Sequence, residues 1–397
     1  MSLQTRREYL QKIRGRYQRA GRVHKTQILN EFTLNCGYHR KHAVRLLITP
    51  PRVRLTPGPP RKYGAEALDL LKEFWLCSDQ MCSKRLKEAA PDWLPFFKSS
   101  QSAREEVKAM SPATMDRLLA PSRVSLGRKR RGGTKPGSLL KKHIPIRTDN
   151  ADITRVGYLE ADTVAHCGSS MAGDFGWTLT FTDIVSGWTQ CRAVWNKGHH
   201  AIHQHLKAAE AESPFPWLAF DCDNGSEFLN HALWDHYAKR AHPVRFTRSR
   251  PYHKNDNAHV EQKNWSAVRQ LVGYERLMNP AAVALLNDLY ENEWRWLVNF
   301  FCPTFKLLEK KKVGSKYVKR YEKPRTPYAR LLESPEVSAP EKEKLRAIRS
   351  GLDPVKLRRR IQQKLRRIFA QNKEVEAPGE STAEAGAKAS QTRSGYD

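Results

Sequence analysis

At 397 residues, with 70 Lys and Arg against 41 Asp and Glu and a formal charge of +29, the chain carries a field that draws it to polyanions, and nucleic acid is the default partner. Ten Trp and 39% hydrophobic content make it too large and too aromatic for an extended clamp on ribosomal RNA, and the length suggests two to four domains. Seven Cys at irregular spacings do not read as a disulfide framework, the first residues offer no apolar signal core, and no run of about 18 apolar residues is present to cross a bilayer, so a reducing, cytoplasmic setting without a membrane is expected.

Residues 5–20 and 24–33 carry helical spacing. Asn35-Cys36-Gly37-Tyr38 breaks the second run before a basic stretch, Arg40 to Leu47. Short helices around a Gly-containing turn, followed by a basic helix, form a helix-turn-helix signature over 1–49. Ala43, Leu46 and Leu47 are expected to face the core, and Arg40, Lys41 and Arg45 to face DNA. Residues 50–63 are Pro-rich and cannot continue a helix, because Pro lacks the amide donor and restricts its predecessor. Helical periodicity resumes through Leu68, Leu71, Phe74 and Trp75, and a second helical DNA-binding domain is predicted over 64–121. Its last helix starts at Ser111-Pro112, a capping residue followed by a first-turn Pro, and presents Thr114 and Arg117 as candidate contacts. Over 122–149 a Gly-rich basic linker follows, in which Arg128, Lys129, Arg130 and Arg131 suit a DNA groove or the phosphates beside it.

An α/β core is expected over 150–275. Apolar, β-prone runs at 155–165, 176–184 and 188–195 read as three antiparallel strands, 199–212 as a helix and 216–223 as a fourth strand. A helix at 227–240, a short strand at Val244-Arg245-Phe246 and a helix at 256–272 complete it. Beyond it lie a basic aromatic region at 276–335, a basic helix within 336–372, and a tail at 373–397 whose Ala, Glu, Ser and Gly content predicts disorder.

Three carboxylates carry the chemistry: Asp162 on the first core strand, Asp223 at the end of the fourth beside Asn224-Gly225, and Glu261 on the last core helix, with 37 residues between the second and the third. Phosphoryl transfer on a nucleic-acid backbone employs two divalent cations about 3.5–4 Å apart, and such cations take hard oxygen ligands. Glu160 and Asp221 are the local rivals, each two residues before a favoured Asp. Asn257 and Asn264 share the helical face of Glu261 and can orient a phosphate or water, while Arg269 can reach the DNA backbone. His39, His42, Cys77 and Cys82 lack zinc-site spacing, so structural zinc is not expected.

A strand ending in Asp, a later strand running into Asp-Asn-Gly-x-Glu-Phe, and a helical Glu after an Asn-rich start resemble the core of retroviral-integrase-like DDE transposases of bacterial insertion sequences. The resemblance implies an RNase H-like core with a mixed five-stranded sheet, between N-terminal all-α helix-turn-helix domains and a basic C-terminal region. It also implies catalytic, metal-binding roles for Asp162, Asp223 and Glu261 with two Mg2+ or Mn2+ ions. The implied partners are double-stranded DNA, as terminal inverted repeats and as target, and further copies of the chain in a multimer at the nucleoid. The implied activity is cleavage and strand transfer. A nuclease without strand transfer, or a DNA-binding regulator without catalysis, is the alternative. Two departures stand out: the gap before Glu261 is slightly longer than usual, and position 265, where some relatives carry a DNA-contacting lysine, is Trp.

Overall fold

The structure, a computed structural model, describes residues 1–49, 62–123, 153–222, 228, 231–248, 260 and 263–373, with backbone alone at 231, 232, 310, 316 and 317. It divides into two units, Met1–Lys62 and Tyr63–Asp397. The Pro-rich linker from 50 to 61, nearly all of the basic linker and the tail from 374 lie outside the described residues.

In the first unit, α1 (Leu3–Arg19), α2 (Arg22–Cys36) and α3 (Arg40–Ile48) bury Ile13, Tyr17, Ile28, Leu29, Phe32, Ala43 and Leu47 against one another. Gly37 closes α2 in the left-handed conformation, at φ 67°, and its N–H donates to Thr33 O at 2.9 Å. The Arg14 guanidinium donates to Leu46 O, at 2.6 Å from Nη2, and so ties α1 to the end of α3. Arg40, Lys41 and Arg45 are exposed; Arg40 reaches Asn30 Oδ1, and Arg45 contacts His42 Nδ1 at 3.2 Å.

The second unit begins with α4 (Ala65–Cys77), α5 (Ser83–Trp93), α6 (Gln101–Ala109) and α7 (Pro112–Arg123). Ser111 accepts the Thr114 N–H at 3.2 Å, so α7 starts where its capping sequence places it, and exposed Arg117 donates to Thr114 Oγ1. A five-stranded sheet follows: β1 (Tyr158–Ala165), β2 (Gly176–Asp183), β3 (Thr189–Trp195), β4 (Ala219–Cys222) and β5 (Arg245–Arg248), with α8 (His199–Ala211) before β4 and α9 (His231–Ala238) before β5. Its order is β3-β2-β1-β4-β5; β1, β2 and β3 pair antiparallel, while β4 and β5 run parallel to β1. A mixed five-stranded sheet with helices is thus present as expected. Among the described residues no helix is long and apolar enough to cross a membrane.

Gly157, at φ 108°, fixes the start of β1. A Cβ there would stand 2.5 Å from Pro216 O, so only Gly lets the chain pass this close to the approach of β4. Its carbonyl accepts the N–H groups of Leu218 and Ala219, and its own N–H donates to buried Asp183 at 2.8 Å. Asp183, left without a metal role by its sequence position, also accepts from the Ser186 backbone and hydroxyl, both at 2.6 Å. It therefore shapes the β2–β3 turn. Burial pushes its pKa up, against the lowering effect of these hydrogen bonds.

Three differences from the sequence reading follow. Where one helix was expected over 256–272, the described part holds a π-helical segment, Asn264–Arg269, running into Gln270–Val272. A second π-helical segment, Tyr290–Trp294, interrupts the helix between Pro280–Leu289 and Arg295–Phe301. The region read as basic and aromatic contains a two-stranded ribbon, β6 (Leu307–Val313) and β7 (Lys316–Tyr321). The π segments are linked to each other: Trp294 Nε1 donates to Ala267 O at 2.9 Å, meeting a carbonyl in the widened turn.

At the sheet edge, β3 presents backbone groups that two asparagines occupy. Asn299 accepts the Thr189 N–H at 2.8 Å and donates to Thr189 O at 2.7 Å, and Asn287 accepts the Ala193 N–H at 2.8 Å. Asn299→Ala should destabilise the protein by about 2–4 kcal/mol, because it strands a buried donor and a buried acceptor together. Urea unfolding of the variant checks this; a loss below about 0.5 kcal/mol would mean that water replaces the side chain.

Candidate active site

Parallel pairing of β1 with β4 sets Tyr158 beside Ala219, Leu159 beside Phe220, Glu160 beside Asp221 and Ala161 beside Cys222. Asp162 lies one residue beyond the last described β1–β4 pair, on the part of β1 that continues to Ala165 and toward the carboxyl side of β4, where open α/β sheets present their ligands. On its other flank Asp162 faces Thr180 of β2.

Glu160 and Asp162 share one face of β1, and position along the strand separates the buried carboxylate from the accessible one. Glu160 is fully buried, and its Oε2 accepts the Val260 N–H at 3.0 Å. Asp221, also buried, accepts the Thr247 hydroxyl at 2.5 Å, across the β4–β5 pairing. Asp162 is only half-buried. Its Oδ1 accepts the Thr163 N–H at 2.7 Å and its Oδ2 accepts the Asn264 amide at 2.6 Å.

That amide is oriented by the carboxylate, since reversing it would set two oxygens against each other. Its Oδ1 is consequently held on the far side, buried and accepting no hydrogen bond. A buried amide oxygen without a partner fits a bound water or a hard cation. Among the described residues, no group of three His, Cys, Asp or Glu side chains could hold a metal. Asp223, Glu261 and Asn257 lie outside the described residues, as do Arg128, Lys129, Arg130 and Arg131. Chain connectivity still bounds the first two. Asp223 follows buried Cys222, and Glu261 follows buried Val260, whose N–H is the one held by Glu160.

The segment behind the site is fastened in three further places. Lys263 donates to Gly187 O at 3.1 Å; burial, with Arg85 and Arg330 nearby, pushes its ammonium down to about 8. Arg269 donates to Ala165 O at 2.8 Å, its guanidinium lies 4.8 Å from the Tyr274 ring centroid, and burial lowers its pKa. Arg269, read as a candidate DNA contact, thus grips the end of β1. Trp265 is 41% exposed. Sequence reading missed the Glu160–Val260 bond and the Lys263 anchor, because neither alternation nor helical spacing encodes contacts some hundred residues apart.

A buried relay closes the back wall. His166 Nε2 lies 2.7 Å from Thr178 Oγ1, which lies 3.0 Å from the Tyr290 hydroxyl. Burial first, and Arg269 second, push His166 down from 6.5 to about 3. The native imidazole therefore stays neutral where the unfolded chain takes up a proton, so stability is lost as pH falls from about 6.5 toward 3, by about 1.4 kcal/mol per unit. Between pH 7 and pH 5, His166→Gln should lose roughly 2 kcal/mol less unfolding free energy than the parent. Equal losses would show that His166 already protonates in the folded state.

A protein of Sinorhizobium fredii (strain NBRC 101917 / NGR234), the uncharacterized protein y4rM, is 40% identical over 345 residues, covering 83% of this chain and 96% of its own. No protein-family model matches. Among solved structures, the catalytic core domain of BIV integrase gives a TM-score of 0.29 at 15% identity, over 45% of this chain and 94% of that one. The HTLV-2 integrase catalytic core domain, in complex with magnesium in a dimeric form, gives 0.26 at 15% identity, over 38% and 91%. Scores of this size leave the fold to be argued from its own topology and register.

Proposed function

We propose that this chain, which belongs to the y4rM family, is a DDE transposase that binds transposon ends, cuts DNA and joins the cut end to a target duplex. The observation that carries this reading is the parallel register of β1 and β4. It sets Ala161 beside Cys222, and the residue that follows each of them in sequence is an aspartate, Asp162 and Asp223. Val260 and Asn264 bracket Glu261 in sequence and both bond to β1 side chains, at Glu160 and Asp162.

Asp162, Asp223 and Glu261 would hold a pair of Mg2+ or Mn2+ ions. When bound, such a pair supplies activation of the attacking oxygen and stabilisation of the leaving oxygen at phosphorus. The chain's own part is orientation. The Thr163 N–H and the Asn264 amide hold both oxygens of Asp162, and Glu160 holds the N–H of Val260, the residue before Glu261 in sequence. Strand transfer re-uses the site, because the attacked phosphodiester carries its own leaving group and needs no covalent enzyme intermediate. The helical units before the core are read as the end-binding modules, with Arg40, Lys41, Arg45, Thr114 and Arg117 as contacts and Arg128, Lys129, Arg130, Arg131 and Asn257 beside them. DNA synapsis implies a multimer.

Asp162→Asn, Asp223→Asn and Glu261→Gln should each abolish Mg2+- or Mn2+-dependent cleavage, and also the joining of a precut end bearing a free 3′-hydroxyl, while fold and DNA affinity persist. A dideoxy end should not be joined by the parent. Full activity in any of these variants removes that residue from the site, and cleavage without joined product under multimer-forming conditions makes the protein a nuclease.

Asn264→Ala should lower activity about 10–100-fold with unchanged DNA affinity, since it releases one Asp162 oxygen from its fixed orientation. Raising the Mg2+ concentration should restore part of the loss. Activity equal to the parent at limiting Mg2+ would assign Asn264 a purely packing role.

A further inference from the structure

The β6–β7 ribbon is clamped at its base and exposed beyond it. Thr304 and Arg325 exchange backbone hydrogen bonds, and the Glu322 N–H donates to Lys306 O. Arg330, paired with Glu322, donates to Thr304 O at 2.7 Å and to Ser186 O at 3.1 Å, which ties the base to the β2–β3 turn of the sheet. From Lys311 to Tyr321 every described side chain is exposed. Exposure holds on both faces: the register sets Lys311 and Val318 on one and Lys312, Lys319 and Tyr321 on the other. Val313 and Val318 are 61% and 57% exposed.

A two-stranded ribbon alone is marginal in water, and this one is further weakened by its charge. Six cations stand in it against a single carboxylate, Glu309, which Lys311 already engages at 2.7 Å. Lys310 and Lys319 stand opposite each other in the backbone register. Lys312, Lys319 and Arg320 have no carboxylate partner among the described residues.

We propose that the β6–β7 ribbon is a duplex-DNA-binding arm, whose lysines contact the phosphate backbone while its exposed apolar residues lie toward the groove. A second copy of the chain is a poor occupant, because it would bring a like-charged ribbon and a formal charge of +29 to the contact. Duplex DNA supplies phosphates to exposed cations such as Lys312, Lys319 and Arg320, and its major groove admits a two-stranded ribbon. The choice of DNA as the polyanion rests on the function proposed above; the ribbon's exposure and charge do not.

The test uses the full chain, binding to a short random-sequence duplex followed by fluorescence anisotropy across about 50–200 mM salt. The triple variant Lys311→Ser, Lys312→Ser, Lys319→Ser should bind at least about tenfold more weakly, with its salt slope smaller by about two to three. Its thermal transition should match the parent, because none of the three is buried. Replacing the same residues by Arg should retain the slope. An unchanged slope in a folded triple variant overturns the proposal. So does intact DNA binding with lost binding to anionic vesicles, or with lost self-association in the absence of DNA. Cleavage by the Asp162→Asn variant would refute the catalytic reading and leave this slope unaffected, so the two failures are distinct.

Discussion

One buried hydrogen bond holds the arrangement together: the Glu160 carboxylate, fully enclosed in the sheet, accepts the Val260 N–H at 3.0 Å. Removing a carboxylate from water costs several kcal/mol unless its oxygens are met by donors, so this bond is a condition of the fold. It fixes where the chain returns to the sheet after β5 and thereby sets the neighbourhood of Asn264 and Asp162. Asp183 and Asp221 repeat the device at the β2–β3 turn and between β4 and β5, taking N–H and O–H donors from neighbouring backbone and hydroxyls. Each inward acid stiffens the frame. Asp162, two residues from Glu160 on the same strand, is left at the rim with solvent access.

Legibility of the fold followed the strength of local periodicity. Strands expected at 155–165, 176–184 and 188–195 appear as Tyr158–Ala165, Gly176–Asp183 and Thr189–Trp195. The trimming at the front of β1 comes from Gly157, whose close approach to Pro216 no residue-by-residue pattern encodes. The π-helical turn at Asn264–Arg269 escaped because its widened geometry is stabilised from outside, by Trp294 Nε1 on Ala267 O. The ribbon at Leu307–Tyr321 escaped for the opposite reason: its lysine-rich strands show no buried face, and alternation is visible only where one face is buried. In the site, Asn264 was legible as a polar candidate, whereas the orientation of its amide by Asp162 belongs to the tertiary structure. Arg269 shows the reverse: a basic residue beside candidate chemistry reads as a DNA contact, and its guanidinium is taken by Ala165 O.

Charge is distributed unevenly over the helices after the ribbon. In Ala339–Ser350, Lys344 pairs with Glu341, Arg346 with Glu343 and Arg349 with Asp92. In Pro354–Lys373 the inward cations pair likewise, Arg358 with Asp79 and Lys364 with Asp288 and Glu293. Arg359, Arg360, Arg366 and Arg367 on the outer side of the same helix are exposed and have no acidic partner among the described residues. Basic composition alone would treat the two helices alike. Pairing shows that most cations of the first are held by acids, while the outer arginines of the second contribute to the field that steers polyanions.

The bonds around the candidate site join residues far apart in the chain. Asp162 meets Asn264 at a separation of 102 residues, Glu160 meets Val260 at 100, Thr178 meets Tyr290 at 112 and Thr189 meets Asn299 at 110. Closing loops of this length costs conformational entropy before any contact repays it, so the site cannot form ahead of the sheet and the helices that cover it. Its geometry is therefore a property of the whole second unit. Stability lost in the helix Arg295–Phe301 or in the π segment Tyr290–Trp294 acts on the same network that orients Asp162, although no residue in either touches that carboxylate.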